Sequence, residues 1–247
     1  MAGCMTTAEL KKIQTDFNNK MNKLKTILFA ACSLVLVTVG TSVKADSSNF
    51  AGPYIGLTAS GYGIEADSTS TSLTTVLTEK STTSDTIQIG KVAAVVGVEL
   101  GYALPLGSAF LIDVGATYHS GEAKIDHDGG DNGMRSVAFM IDDLVTIYIA
   151  PTLVLSDTSS LYVKVGLSEA DTGVTGDITT PGTLSGTMGA IGTRTVLDSG
   201  IFIRTEAGYT DYNGISALGN GTSVGSANAY SAEPTVAFGT VALGFRF

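Results

Sequence analysis

Parity is the feature that constrains this chain most. In its last segment Val241, Leu243, Phe245 and Phe247 share one parity, and Thr240, Ala242, Gly244 and Arg246 the other. Successive side chains of a β-strand point to opposite faces, so each set lines one face of a strand. The pattern recurs along the chain. Leu161, Val163, Val165 and Leu167 oppose Tyr162, Lys164, Gly166 and Ser168. Phe110, Ile112, Val114, Ala116 and Tyr118 oppose Asp113, Gly115, Thr117 and His119. Val92, Ala94, Val96, Val98, Leu100 and Tyr102 oppose Lys91, Gly97 and Glu99, while Ile201, Ile203, Ala207 and Tyr209 oppose Arg204 and Glu206. In these stretches every charge lies opposite the large apolar side chains.

A soluble sandwich or barrel has its charges outside. An apolar exterior around a polar interior suits lipid, where a charge facing the bilayer centre costs about 2–4 kcal/mol. The strands must also close on themselves, because an open edge in hydrocarbon leaves backbone N–H and C=O groups without partners. The period-two pattern spans eight segments: Tyr54–Glu65, Ile87–Leu104, Ala109–Lys124, Val137–Leu155, Leu161–Gly173, Leu184–Leu197, Ile201–Ile215 and Thr235–Phe247. Each meets the roughly 9–11 residues of a tilted membrane-crossing strand. Three connections are tight: Pro105–Ser108, Ser156–Ser160 and Asp198–Gly200. Four are long and polar: Ala66–Thr86, Ile125–Ser136, Val174–Thr183 and Ser216–Pro234. Long and short alternate strictly, which puts all the long loops at one end, as in transmembrane barrels. The fold class expected is all-β: an eight-stranded, up-and-down, antiparallel transmembrane barrel.

The segment before Asp46 has a different chemistry. Lys23 and Lys25 precede the apolar run Ile27–Val39, and Val43-Lys44-Ala45 places small residues where a signal peptidase cuts. The expected organisation is an over-called start at 1–20, a signal peptide at 21–45 and a barrel domain at 46–247. Both cysteines, Cys4 and Cys32, fall in the part removed. Removal also takes six basic and two acidic residues, so the net charge of −9 deepens to −13. That acidity offers no surplus for a phosphate backbone and excludes nucleic acid as a partner.

Several stretches together resemble the small outer-membrane β-barrel proteins of Gram-negative bacteria, the opacity-protein and OmpA-barrel-like families. They are the leader, the opening Gly52-Pro53-Tyr54-Ile55-Gly56, the segment Tyr148-Ile149-Ala150-Pro151, the run Leu161–Gly166 and the closing Ala242–Phe247. The resemblance covers Gly52–Phe247 and implies an outer-membrane location. It gives Val241, Leu243, Phe245 and Phe247 the role of recognition signal for the barrel-insertion machinery. It further implies periplasmic chaperones, outer-membrane lipid and lipopolysaccharide as partners, and an extracellular ligand reached through the long loops. The peptidoglycan-binding domain that some members carry is not expected here.

Two sets of residues stand out for function. Glu99, Asp113, Lys164, Arg194, Arg204 and Glu206 all face the lumen near the short-turn end, three acidic and three basic. An eight-stranded barrel is just filled by side chains, so these charges are expected to pair. They form either a structural plug or an ion-pair gate in a narrow porin-like pore. Tyr102 and Phe110 near the short turns, with Tyr118 and Tyr209 toward the long loops, read as aromatic girdles. Phe110 and Tyr118 are eight steps of about 3.3 Å apart, roughly 20 Å of height after tilting. The alternative is a barrel enzyme acting on outer-membrane lipids, similar to lipid A deacylases, with His119, Ser120 and Glu122 nearby. Neighbouring strand positions face opposite ways, so His119 and Ser120 do not meet within a strand. Gly221–Gly225 matches a nucleophile-elbow pattern without its strand–turn–helix context. Asp126–Gly133 has the flavour of a calcium loop but departs from the EF-hand spacing. No enzyme, metal or cofactor is expected.

Overall fold

The computed structural model describes residues 46–76, 79–121, 123–127, 137–175, 182–218 and 226–247. The leader, Asp128–Gly133 and Gly221–Gly225 lie outside the described residues. Ten strands follow in chain order: β1 (Gly52–Val76), β2 (Glu79–Pro105), β3 (Phe110–Ser120), β4 (Ala123–His127), β5 (Val137–Val154), β6 (Ser159–Thr175), β7 (Leu184–Val196), β8 (Ile201–Tyr212), β9 (Ile215–Leu218) and β10 (Ser226–Arg246). They make eight staves, because two of the expected segments are broken. Gly121, with φ of +143°, ends β3, and both β3 and β4 then pair with β5. Asn213-Gly214 separates β8 from β9, and both pair with β10. Neighbours run antiparallel throughout, and β1 pairs with β10 from Tyr54↔Arg246 to Thr74↔Ser226 to close the ring. The barrel is therefore all-β, up-and-down and eight-staved.

Two of the three tight turns are made by residues in left-handed conformations. Gly107 has a φ of +155° between β2 and β3, and Ser199 and Gly200 have φ of +74° and +81° between β7 and β8. The long connections differ from expectation. The segment 66–86 is largely strand, with β1 and β2 paired out to Val76↔Glu79. The segment 216–234 likewise contains β9 and the first part of β10. Thr-rich polar runs read as loop because they lack apolar alternation. Threonine nonetheless favours the extended state, and each strand inherits its register from the barrel beneath. β1, β2 and β10 therefore continue as a three-stranded ribbon past the level where β7 and β8 stop. β1 alone runs eleven residues beyond Glu65, about 36 Å along the strand.

The outer wall carries Leu57, Val92, Val98, Leu100, Val114, Ile147, Leu167, Ile191, Ile203, Val241 and Leu243, all exposed. Val165 holds an outward register position, opposite Ile149 and Gly189, yet is only 2% exposed. The interior is layered rather than polar throughout. Toward the long-loop end Tyr62, Ile64, Val95, Ile141, Leu144, Leu184, Tyr212 and Val236 form an apolar layer. At the short-turn end Phe50, Tyr54, Ala103, Leu111, Val154, Val196 and Phe202 form another. The buried charges lie between them.

Glycine makes the layering possible. Six inward aromatic rings each face a glycine directly across the strand pair: Tyr54↔Gly101, Tyr148↔Gly115, Tyr162↔Gly192, Phe202↔Gly244, Tyr212↔Gly186 and Phe238↔Gly208. A Cβ added at Gly244 would sit 2.1 Å from the Phe202 ring, and one at Gly192 2.4 Å from the Tyr162 ring. The rings lie flat over their neighbours only because those positions have no side chain, which is the packing by which aromatics cover strand glycines.

Candidate functional site

The lumenal belt draws on seven staves. Glu99 comes from β2, Asp113 from β3, Lys164 from β6, Arg194 from β7 and Arg204 and Glu206 from β8. Inward-facing tyrosines complete it, Tyr54 from β1 and Tyr148 from β5. Parity alone delivers these side chains to one cavity, since each occupies an inward position of its strand. All six charged residues are ion-paired across the lumen. Arg204 donates to Glu99 at 2.9 Å, and Lys164 lies 2.5 Å from Glu206 and 3.9 Å from Glu99. Arg194 is ion-paired with Asp113, whose other oxygen accepts from the Thr152 hydroxyl at 2.6 Å.

Tyrosines bind the two groups of charges together. The Tyr148 hydroxyl donates to Glu99 at 3.3 Å and lies 3.0 Å from the Tyr54 hydroxyl. Arg204 donates to Tyr54 at 3.4 Å, and Tyr162 donates to Glu206 at 2.9 Å. Each cation also rests on a ring face: Lys164 4.3 Å from the Tyr148 centroid, Arg204 4.5 Å from Tyr162 and Arg194 4.8 Å from Tyr54. A desolvated cation over an aromatic face gains about 2 kcal/mol beyond its ion pair.

The register explains why the carboxylates are needed. Arg194 and Arg204 are directly opposite each other on β7 and β8, and like charges in that relation destabilise a sheet. Each is 2% exposed, so water does not relieve the repulsion. Asp113 and Glu99, reaching from the far wall, neutralise them separately. A cavity of about 10 Å³ remains beside Thr58, Glu99, Thr117, His119, Arg204 and Glu206. A second, of about 20 Å³, lies among Tyr62, Ile64, Val95, Ile141 and Leu144. Each is on the scale of one water molecule.

His119 separates the two cavities. Its Nδ1 lies 3.1 Å from the Tyr62 hydroxyl and its Nε2 3.2 Å from the Ser60 hydroxyl. Ser60 in turn lies 2.8 Å from the Thr240 hydroxyl. Ser120 sits on the outer face, so the two residues that invite a hydrolase reading do not meet. Among the described residues no group of three or more His, Cys, Asp or Glu side chains is placed to hold a metal ion.

The other residues singled out from sequence lie on the wall. Tyr102, Tyr118 and Tyr209 are exposed on the outer face, and Phe110 is half-buried. Tyr118 donates to the Asp143 carboxylate at 2.5 Å. Val241, Leu243, Phe245 and Phe247 form an outward row at the closing seam, and the Phe245 and Phe247 rings meet edge to face at 5.2 Å. The sequence pattern did not assign Tyr54 or Tyr148 to the lumenal belt, nor Phe50 to the barrel base. The tyrosines carried a signal in their parity, each sharing a face with small residues of its own strand: Gly56 and Thr58 for Tyr54, Thr146 and Ala150 for Tyr148. Phe50 carried none, because it precedes the first strand.

The family match and one solved structure agree with this architecture. The family model of the outer membrane protein β-barrel domain matches residues 29–239. Among solved structures, the outer membrane protein OprG of Pseudomonas aeruginosa is 12% identical, with a TM-score of 0.51 over 83% of this chain and 100% of its own. The attachment invasion locus protein Ail of Yersinia pestis is 9% identical, with a TM-score of 0.33 over 72% of this chain and 98% of its own. The outer membrane protease OmpT of Escherichia coli is also 9% identical, with a TM-score of 0.32 over 78% and 97%. No curated protein sequence matches the chain. With its closed ring of eight staves, its apolar wall and its charged lumen, the chain belongs to the outer membrane protein β-barrel family and resides in the Gram-negative outer membrane.

Proposed function

We propose that this protein is a sealed outer-membrane barrel whose work is done at the cell surface, by the strands that outrun its rim. One observation carries the reading: each of the six charges of the belt is ion-paired inside the barrel, while β1, β2 and β10 continue together past the rim. A gate needs a charge free to change partners. Here Arg194 and Arg204 are held by carboxylates and covered by rings, and such buried pairs resist separation. The ribbon suits an interaction element, since three hydrogen-bonded strands carry a Ser- and Thr-rich sequence past the rim.

The same reading assigns roles to the wall. The outward row Val241, Leu243, Phe245 and Phe247 addresses the chain to the insertion machinery after chaperoned transit, and the signal peptide at 21–45 is removed on export. Tyr102, Phe110, Tyr118 and Tyr209 sit at the lipid interfaces, the upper pair toward lipopolysaccharide. The test is a deletion: replacing 69–86 by Asn-Gly joins Ser68 to Ile87, a pair already in register, through a tight hairpin turn. Cells bearing this variant should retain a folded barrel and lose adhesion to matrix-coated or lipopolysaccharide-coated surfaces. Unchanged adhesion in both formats would remove the ribbon from the account.

A further inference from the structure

The six residues before β1 do not trail away from the barrel. Ser47–Asn49 make a 3-10 turn whose cap, Asp46, accepts from the Ser48 amide at 2.9 Å. That bond holds the Asp46 carboxyl below the usual carboxylate range. The turn lies across the short-turn mouth and is tied to several staves at once. The Ser47 amide donates to Ser108 O at 2.9 Å and its hydroxyl to Gly107 O at 2.6 Å, both in the β2–β3 turn. Asn49 donates to Asp157 O at 3.1 Å in the β5–β6 turn. Arg246, near the end of β10, donates from one nitrogen to Ser48 O at 3.2 Å and Ala51 O at 3.0 Å. Arg194 reaches down from the lumenal belt to Phe50 O at 3.4 Å.

We propose that Asp46–Ala51 is a built-in stopper: a strap that docks Phe50 into the periplasmic mouth and is latched there by Arg246 and Arg194. Phe50 is fully buried in a cluster with residues of β1, β2, β3, β5, β7 and β8. One ring therefore packs against residues of six staves at the barrel base. The strap offers that single large apolar side chain and a handful of hydrogen bonds. β1, by contrast, is paired with β10 at 21 successive positions. The strap accordingly opens far more easily than the barrel, as segments with few buried contacts do. Its partners come from both ends of the chain, so docking follows closure of the seam. The latch is a single guanidinium nitrogen of Arg246 that serves two strap carbonyls.

Thiol accessibility tests this directly. The full chain with Cys4→Ser and Cys32→Ser is refolded into detergent micelles carrying Val196→Cys, whose side chain lies in the cluster sealed by Phe50. A membrane-impermeant maleimide serves as probe, and Thr158→Cys, in an exposed turn, supplies the open rate. Val196→Cys should react roughly a hundredfold more slowly, because labelling waits on strap opening. Arg246→Gln removes the charged donor and should raise the rate about tenfold. Phe50→Gly should bring it near the exposed rate while the folded barrel keeps its heat-modifiable gel migration. If Phe50→Gly does not fold, the Arg246→Gln arm decides alone. Equal labelling of Val196→Cys and Thr158→Cys in the otherwise unaltered chain, or no acceleration in the latch variant, overturns the proposal.

Discussion

Breaking the Arg194–Asp113 pair probes the lumen most sharply. Asp113 is fully buried and Arg194 is 2% exposed, so Asp113→Asn leaves a cation in the barrel without its counter-charge. The neighbouring Arg204 lies directly opposite across β7 and β8 and offers repulsion in place of relief. Removing one partner of a buried pair costs about 3–5 kcal/mol, and this site should fall in the upper part of that range. Arg194→Met should cost a similar amount by stranding the Asp113 carboxylate. The double variant Asp113→Asn, Arg194→Met removes both charges and keeps a hydrogen-bonding group for Thr152. It should lie within about 1–2 kcal/mol of the starting protein, the scale of a weakened hydrogen bond. The assay is equilibrium urea unfolding in phospholipid vesicles, read by the heat-modifiable band of the folded barrel. If each single change costs less than about 1 kcal/mol, the value of an exposed pair, or if the two costs simply add, the sealed and desolvated lumen is refuted.

Other outcomes follow from the same packing. Gly192→Ala places a Cβ 2.4 Å from the Tyr162 ring and should destabilise by about 1–3 kcal/mol, the range for an overpacked core. Gly61→Ala meets nothing within 4 Å and should be neutral or stabilising by up to about 1 kcal/mol in the same urea titration. Val114→Arg puts a charge midway between Phe110 and Tyr118 on the outer face and should cost about 2–4 kcal/mol in vesicles; a cost near zero would contradict a lipid-facing wall. Shortening the ribbon at 69–86 should leave the midpoint of barrel unfolding unchanged, because its strand pairs lie beyond the rim.

The sequence announced the wall and the lumen in different degrees. Alternation in β6, β8 and β10 placed Lys164, Arg204 and Arg246 inside or at the mouth, because parity within one strand is a local property. Which carboxylate meets which cation was not legible. Arg194 takes Asp113 and Arg204 takes Glu99 because of how β2 and β3 lie across the lumen from β7 and β8, and that depends on the stagger of the closed ring. The broken staves were hidden for a related reason: Gly121 and Gly214 interrupt segments whose apolar rhythm continues on both sides. The Thr-rich stretch from 66 to 86 read as loop since it has neither alternation nor core to bury. Its β-structure comes from the neighbours that it extends. Phe50 lay outside every strand pattern, and only the closed barrel gives its ring a place.

A planar-bilayer recording bears most directly on the claim that the lumen is sealed. The full chain inserted at low density into a phospholipid bilayer, under voltage in symmetric potassium chloride, should show no discrete current steps. Reproducible single-channel steps from this unaltered protein would contradict it, and a change in their size or open time in Lys164→Ala or Arg204→Ala would make the ion-paired belt a gate.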